Sequence, residues 1–229
     1  MVRRPAKDTL SVARRLMVTE QLPAKGIRDA RVLAAMAEIP RHLFVDEALW
    51  SEAYGEHALP IGFGQTISQP YVVARMCELL NLEGSEKILE VGLGSGYHAA
   101  VLSKLGRTVF AMERIPQLAE RARRALESLG IKNVIVKAGD GSSGMRSFAP
   151  FDRIAVAAAA ERIPPPLLEQ LAESGRLVMP VGPEDEQRIV LVEKKGGVLL
   201  RREVDRARFV PLVEGSGKGN SGGGRVARD

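Results

Sequence analysis

The chain has 229 residues, 45% of them apolar, which is enough for one large domain or two small ones with a sizeable core. Its formal net charge of +5 resides in residues 1–31, where eight basic residues face three acidic ones and leave the remainder neutral. With 4% aromatics and no basic stripe through the body, a nucleic-acid partner is not expected. No window approaches the roughly 18 uninterrupted apolar residues of a membrane span, and no apolar stretch follows the basic start, so no membrane partner and a cytoplasmic location are expected.

Apolar periodicity divides the chain in two. The first part reads helical: SVARRLMVTEQL (11–22), DARVLAAMAEI (29–39) ending at Pro40, and YVVARMCELLNL (71–82) entered through Pro70. The single cysteine, Cys77, lies in the last of these and is expected to be a buried structural thiol rather than a nucleophile. From Lys87 onward strands and helices alternate. KILEVG (87–92) is a strand, YHAAVLSKL (97–105) a helix opened by glycines, TVFAME (108–113) a strand, and PQLAERARRALESLG (116–130) a helix with proline in its first turn. NVIVKA (133–138) and FDRIAVAAAA (151–160) read as strands, PPLLEQLAESG (165–175) as a helix and RLVMPVG (176–182) as a strand. QRIVLVEKKGGVLLRREV (187–204) reads as two strands joined at Gly196 and Gly197, followed by an extended ARFVPLV (207–213).

This alternation implies an α/β fold: a doubly wound, mostly parallel sheet with an antiparallel edge hairpin and a helical N-terminal subdomain. Residues 1–10 are expected to form a flexible basic N-terminus and 11–214 a single domain, with 11–84 helical and 85–214 holding the α/β core. Residues 215–229, glycine-rich and poor in apolar side chains, are expected to be disordered.

EVGLGSGYHAA places Gly92, Gly94 and Gly96 between the first strand of the core and its helix, where backbone amides can approach a ligand. Glu113 ends the next strand, 21 residues after Gly92, the separation at which a carboxylate reaches ribose hydroxyls. After the third strand AGDG supplies Asp140 and Gly141, an acid able to accept from an adenine amine. A dinucleotide fold would want a third glycine where Tyr97 stands, and no second nucleotide-binding half follows. That favours S-adenosylmethionine, with one ribose and no pyrophosphate, over a dinucleotide; the bland alternative is a tight turn and nothing more.

Among acceptors, base amines need an electron-accepting aromatic clamp, which AAAAERIPPPLLE (157–169) lacks after the fourth strand. Cytosine-carbon methylation needs a nucleophilic cysteine, and Cys77 lies in a helical pattern instead. His42, His57 and His98 are scattered without metal-ligand spacing, so no metal is expected. GQTISQP (64–70) offers Thr66 and Ser68 before a Pro-initiated helix, and capping is the ordinary use of such hydroxyls.

Taken together, MVTEQL, RVLAAMAEIPRHLFV, ALPIGFGQTISQP, ILEVGLGSGYHAAVL, MERIPQLAERA, AGDG, APFDRIAV, LLEQLAESGRLVMPVG and RFVPL resemble the protein-L-isoaspartate O-methyltransferases, from about residue 11 to residue 213. ALPIGFGQTISQP is the most specific of these. The resemblance implies methyl transfer from S-adenosylmethionine, leaving S-adenosylhomocysteine, to the free carboxylate of isoaspartyl residues in damaged proteins and peptides; a monomer is expected. It implies Ser68 as the active-site residue, Thr66 and Ile67 beside it at the junction of cofactor and substrate, and Gly92, Glu113, Asp140 and Gly141 at cofactor-binding positions. Phe209, Val210 and Pro211 would form an edge that pairs with substrate backbone. No base is required, since a carboxyl with a pKa of roughly 4 is already ionised at neutral pH.

His57, Leu93, His98 and the threonine-free AVAAAA depart from the family pattern. A carboxyl methyltransferase with another acceptor, and a silent module that only binds S-adenosylmethionine or isoaspartyl chains, are the alternatives.

Overall fold

The computed structural model describes residues 7–215. Residues 1–6 of the expected basic arm and 216–229 of the expected glycine-rich tail lie outside the described residues. The chain enters as helix α1 (Lys7–Leu16), a five-residue π-helical stretch (Met17–Gln21) and a short α2 (Leu22–Ala24). Helix therefore begins ahead of residue 11, because Leu10 is buried and gives this turn a face to pack. Helix α3 (Ala30–Glu38) starts where the Asp29 side chain accepts from the amides of Arg31 and Val32, and it stops before Pro40. Two 3-10 turns (Arg41–Phe44 and Glu47–Glu52) follow, neither signalled by periodicity.

Strands β1 (Leu59–Gly62) and β2 (Gln65–Ile67) form a separate antiparallel hairpin out of the stretch ALPIGFGQTI. Phe63 and Gly64, at φ 55° and 69°, make the left-handed two-residue turn that matches the twist of paired strands. Helix α4 (Pro70–Leu80) then runs to Asn81, whose left-handed conformation (φ 50°) ends it. Cys77 is buried on it, as expected.

The core follows as β3 (Lys87–Val91), α5 (Tyr97–Leu105), β4 (Thr108–Glu113), α6 (Pro116–Ser128), β5 (Val134–Ala138), β6 (Phe151–Val156), α7 (Pro165–Glu169), β7 (Leu171–Val181), β8 (Arg188–Lys195) and β9 (Val198–Arg206). Its seven-stranded sheet has the order β5-β4-β3-β6-β7-β8-β9, parallel through β7 and antiparallel at β8 and β9. Alternate residues serve opposite faces: Ile88, Val109, Ala111, Ala155 and Val178 join one apolar cluster with α3 to α6, while Leu89, Phe110, Ile154, Val156 and Leu177 join another around Phe151 and Leu167. Leu10, Met17 and Leu22 belong to the first cluster, so the helical N-terminal part shares a core with the sheet. The chain leaves β3 toward β4 and β5, then crosses back to β6 on the other side of β3. That reversal opens a crevice beyond the carboxyl ends of β3 and β6.

One expectation fails. PPLLEQLAESG was to be helical through Gly175, but only Pro165–Glu169 is, and β7 begins at Leu171. The helical-looking spacing of Leu167, Leu171 and Ala172 is overridden by tertiary pairing. Phe151 donates its amide to Gln170 O at 2.8 Å, Leu171 pairs opposite Phe151, and both Leu171 and Leu177 enter the core. The residues between form a bulge with Ser174 at φ 61°, and Glu173 accepts from the amides of Gly196 and Gly197 in the β8–β9 turn. The second face is consequently covered by a short helix and turns.

At Gly96, φ is 90° and an added Cβ would lie 3.0 Å from Ala122 Cβ on α6. At Gly196, φ is 59° and nothing lies within 4 Å. Gly96→Ala is expected to cost about 1–3 kcal/mol from backbone strain plus the clash, and more than Gly196→Ala, in paired thermal melts.

Candidate active site

The loop after β3 is fixed by one carboxylate. Glu113, at the end of the neighbouring β4 and only 6% exposed, accepts from the Gly94 amide through Oε2 (2.8 Å) and from the Ile115 amide through Oε1 (2.9 Å). It thus ties the glycine loop to the start of α6, while both oxygens retain lone pairs for a further donor. Gly92 and Gly94 face the crevice; Gly96 does not, and caps α5 against α6 instead.

Asp140 follows β5 next to Gly141, which lines the crevice. Its Oδ1 accepts from the amide and hydroxyl of Ser142 (2.9 and 2.7 Å), and its Oδ2 from the Gly215 amide (2.7 Å). Partial burial raises this carboxyl, but those hydrogen bonds and the nearby Arg114 charge outweigh it and hold Asp140 below the usual carboxylate range. Arg114 also donates to the carbonyls of Val213 and Gly215 at 3.1 and 2.8 Å. The segment 209–215 is thereby laid across the crevice. Val210 O accepts from Ala159 N (2.9 Å), Leu212 N donates to Ala159 O (2.6 Å), and the buried Gln187 side chain bonds both the amide and the carbonyl of Phe209. The Phe209 backbone, expected to be open to a substrate strand, is therefore already engaged.

Two cavities and a narrow join make up the crevice. An inner cavity is walled by Val91, Met112, Glu113, Ile115, Gly141 and Ala158, and an outer one of about 560 Å³ by Val72, Glu184, Arg206, Arg208 and Phe209. Thr66 and Ala157 line both, as do Val210 and Pro211, while Ser68 and Ile67 line the join. Ser68 does not cap α4: the cap residue is Gln69, without a side-chain cap bond, and Ser68 Oγ makes no hydrogen bond among the described residues. Among those residues no group of three or more His, Cys, Asp or Glu side chains is placed to hold a metal, and no helix is long and apolar enough to cross a membrane.

The family model for protein-L-isoaspartate(D-aspartate) O-methyltransferase matches residues 13–217. The chain belongs to this family. It is 55% identical over 201 residues to protein-L-isoaspartate O-methyltransferase 1 of Syntrophobacter fumaroxidans, covering 88% of this chain and 94% of that protein. It is 51% identical over 203 residues to the corresponding protein of Geobacter metallireducens, covering 88% and 94%. A solved protein-L-isoaspartate O-methyltransferase superposes with a TM-score of 0.80 at 32% identity, covering 88% of this chain and 66% of that longer one. A Plasmodium falciparum structure described as a protein-L-isoaspartate O-methyltransferase in complex with S-adenosyl-L-homocysteine superposes with a TM-score of 0.75 at 25% identity, covering 87% and 98%.

In this member of the protein-L-isoaspartate O-methyltransferases, the structure locates the residues that the sequence reading set apart from the family pattern. Leu93 is buried at the join, His57 is exposed beside Glu52 (3.3 Å) away from the crevice, and Ala157 of the AVAAAA stretch lines both cavities and the join. Sequence reasoning missed Arg206 and Arg208, whose guanidinium groups have no partner among the described residues and line the outer cavity. It also missed Glu90. This carboxylate is fully buried on β3 yet lines the join, with His98 Nδ1 3.1 Å from Oε1. Burial raises Glu90, while for His98 the adjoining Cys77 and Glu90 outweigh burial and push it up to about 10. The available signal was an acid between the apolar residues Leu89 and Val91 of the strand KILEV.

Because Asp140 is depressed in the folded state, its stabilising contribution is present above the unfolded carboxyl pKa of about 4 and is lost as pH falls below that through the lower folded value. Asp140→Asn is therefore expected to cost about 0.5–1 kcal/mol at neutral pH, with the difference from wild type holding down to about pH 4 and shrinking below it in chemical denaturation.

Proposed function

We infer that this crevice transfers a methyl group from S-adenosylmethionine to the free carboxylate of isoaspartyl residues in damaged proteins, the first step of their return through a succinimide to aspartate. The observation that carries the reading is the unpartnered Ser68 hydroxyl at the join of an inner, glycine-floored cavity and an outer one wide enough for a peptide. Family membership over residues 13–217 supports the same acceptor chemistry.

The residues present suit the cofactor. A Cβ at Gly92 would lie 3.4 Å from the Ala157 carbonyl carbon, so the space beside this loop exists only while the residue lacks a side chain. Gly92 and Gly94 would carry its backbone contacts, Glu113 its ribose hydroxyls, Asp140 and Gly141 its adenine end, and Thr66 and Ile67 its reactive end, between the apolar walls of Met112 and Ile115. When bound, S-adenosylmethionine supplies a methyl group activated by a positively charged sulfur. Arg206 and Arg208 at the mouth attract an anionic acceptor. Ser68 donates a hydrogen bond that aims the carboxylate. Val72, Val210 and Pro211 keep water from it, and no side chain has to remove a proton. Holding reactants in line accounts for at most about 7–11 kcal/mol of the barrier. A strong cationic clamp on the carboxylate would oppose the reaction, since its negative charge disappears on transfer.

The same proposal treats residues 11–214 as one catalytic unit, 11–84 on the substrate side and 85–214 on the cofactor side. It places the chain in the cytoplasm as a monomer acting on isoaspartyl peptides and proteins, without metal or nucleic acid.

Labelled S-adenosylmethionine with matched isoaspartyl and aspartyl peptides is the test. Methyl transfer to the isoaspartyl peptide alone is expected; equal transfer to both would overturn the acceptor assignment, and cofactor binding without transfer to either would mark a binding module. Ser68→Ala is expected to lower turnover roughly ten- to a hundredfold, as loss of about 1.5–3 kcal/mol of charge-assisted hydrogen bonding implies. Its S-adenosylhomocysteine affinity and melting temperature should stay near wild type.

A further inference from the structure

At the crevice end of the antiparallel sheet edge stand three arginines that the transfer step does not need at its reacting atoms. Arg188 opens β8, Arg206 ends β9, and the two lie opposite each other in the ladder. Arg208 follows two residues on, and Arg206 and Arg208 both line the outer cavity. Like charges facing each other across paired strands destabilise a sheet. None of the three guanidinium groups has a hydrogen-bond or ion-pair partner among the described residues, although Glu184, Asp185 and Glu186 precede Arg188 closely and Glu184 lines the same cavity. The backbone that carries them is fixed. Ala207 donates its amide to Gln187 O (2.9 Å), while Gln187 Oε1 accepts from the Phe209 amide (2.6 Å) and Gln187 Nε2 donates to the Phe209 carbonyl (3.1 Å). Arg208 is thus held between two bonded neighbours, and positive charge is kept at the mouth of the cavity without a counter-ion.

We propose, on the basis of the isoaspartyl reading above, that Arg206 and Arg208 are specificity-determining residues that seat a second, non-reacting carboxylate of the substrate. The favoured acceptors are then isoaspartyl residues with aspartate or glutamate as a near neighbour in sequence. The reacting carboxylate is a poor occupant of this seat. Its negative charge disappears on methyl transfer, so a guanidinium bonded to it would stabilise the starting state over the transition state. It is aimed instead by Ser68, which lines the join, and neither arginine lines the join. A neighbouring side-chain carboxylate keeps its charge throughout. Its contact is equally strong before and during transfer, so it lowers KM and leaves kcat unchanged. The planar fork of arginine matches a carboxylate with two parallel N–H···O bonds, and Arg188, opposite Arg206, adds to the positive field that draws such a group in.

The test is steady-state methyl transfer to isoaspartyl peptides that differ only in the residue beside the isoaspartate: aspartate, serine or lysine, on either side. With wild type at low ionic strength, aspartate on at least one side is expected to give a KM about three- to tenfold below that of the serine peptide, at equal kcat. The lysine peptide should have the highest KM, and the differences should shrink as salt is raised to about 0.5 M. In Arg206→Gln, Arg208→Gln and the double variant every isoaspartyl peptide loses some long-range attraction, but the acid-flanked one loses more, so the ratio of its KM to that of the serine peptide should approach one in the double variant. Arg206→Gln should melt at or above wild type, because it removes the repulsion with Arg188. A wild-type ratio near one, arginine variants that weaken all three peptides by the same factor, or a lower melting temperature for Arg206→Gln would overturn the role, and the isoaspartyl reading would stand. Wild type that methylates none of the peptides would overturn that reading and this role with it.

Discussion

The crevice depends on where one carboxylate spends its hydrogen bonds. Glu113 takes the amides of Gly94 and Ile115, one from each of two adjacent strand-to-helix connections. Left to itself, a loop of left-handed glycines would be conformationally loose; held by a nearly buried charge, its backbone stands open on the crevice side while α5 and α6 pack behind it. Glycine supplies the permissiveness and Glu113 removes the freedom. The remaining geometry, from Gly92 against Ala157 to the apolar walls at Met112 and Ile115, is built outward from that anchor.

The substrate side is assembled from parts far apart in the chain. The β1–β2 hairpin delivers Thr66, Ile67 and Ser68 to the join, and the segment 209–215 closes over the same place from the other end of the sequence. That closing segment is pinned at three points, by Ala159, by Gln187 and by Arg114 with Asp140. The site thus contains a hydroxyl, backbone groups and apolar walls where many enzymes carry a base. An acceptor that arrives ionised makes this sufficient: such a carboxylate needs orientation and a dry seat, both of which rigid packing provides.

Much of the core was legible in the sequence because its signals are local. Strand-helix alternation from Lys87 gave the parallel sheet, Pro70 and Pro116 marked helix starts, and Gly196 with Gly197 marked the edge turn. The misses share a cause. β1 and β2 are too short, at four and three residues, for alternation to register, and the pattern 167–175 mixes a helical turn, a bulge and a strand whose boundary is set by Phe151 and Glu173. Glu90 was passed over because an apolar strand reads as core, and only the fold reveals which of its residues border a cavity.

The sequence by itself determined the architecture, the family and the chemical types available at the site, since periodicity, glycine spacing and the GQTISQP stretch are properties of consecutive residues. Only the tertiary structure decided which of those residues meet. It sent Gly96 to helix packing, freed Ser68 from capping, engaged the Phe209 backbone with Gln187, and brought Glu90, His98 and Cys77 from three elements to one buried point. Such contacts join residues as distant in sequence as Arg114 and Gly215, 101 positions apart, and no local pattern encodes a distance of that kind.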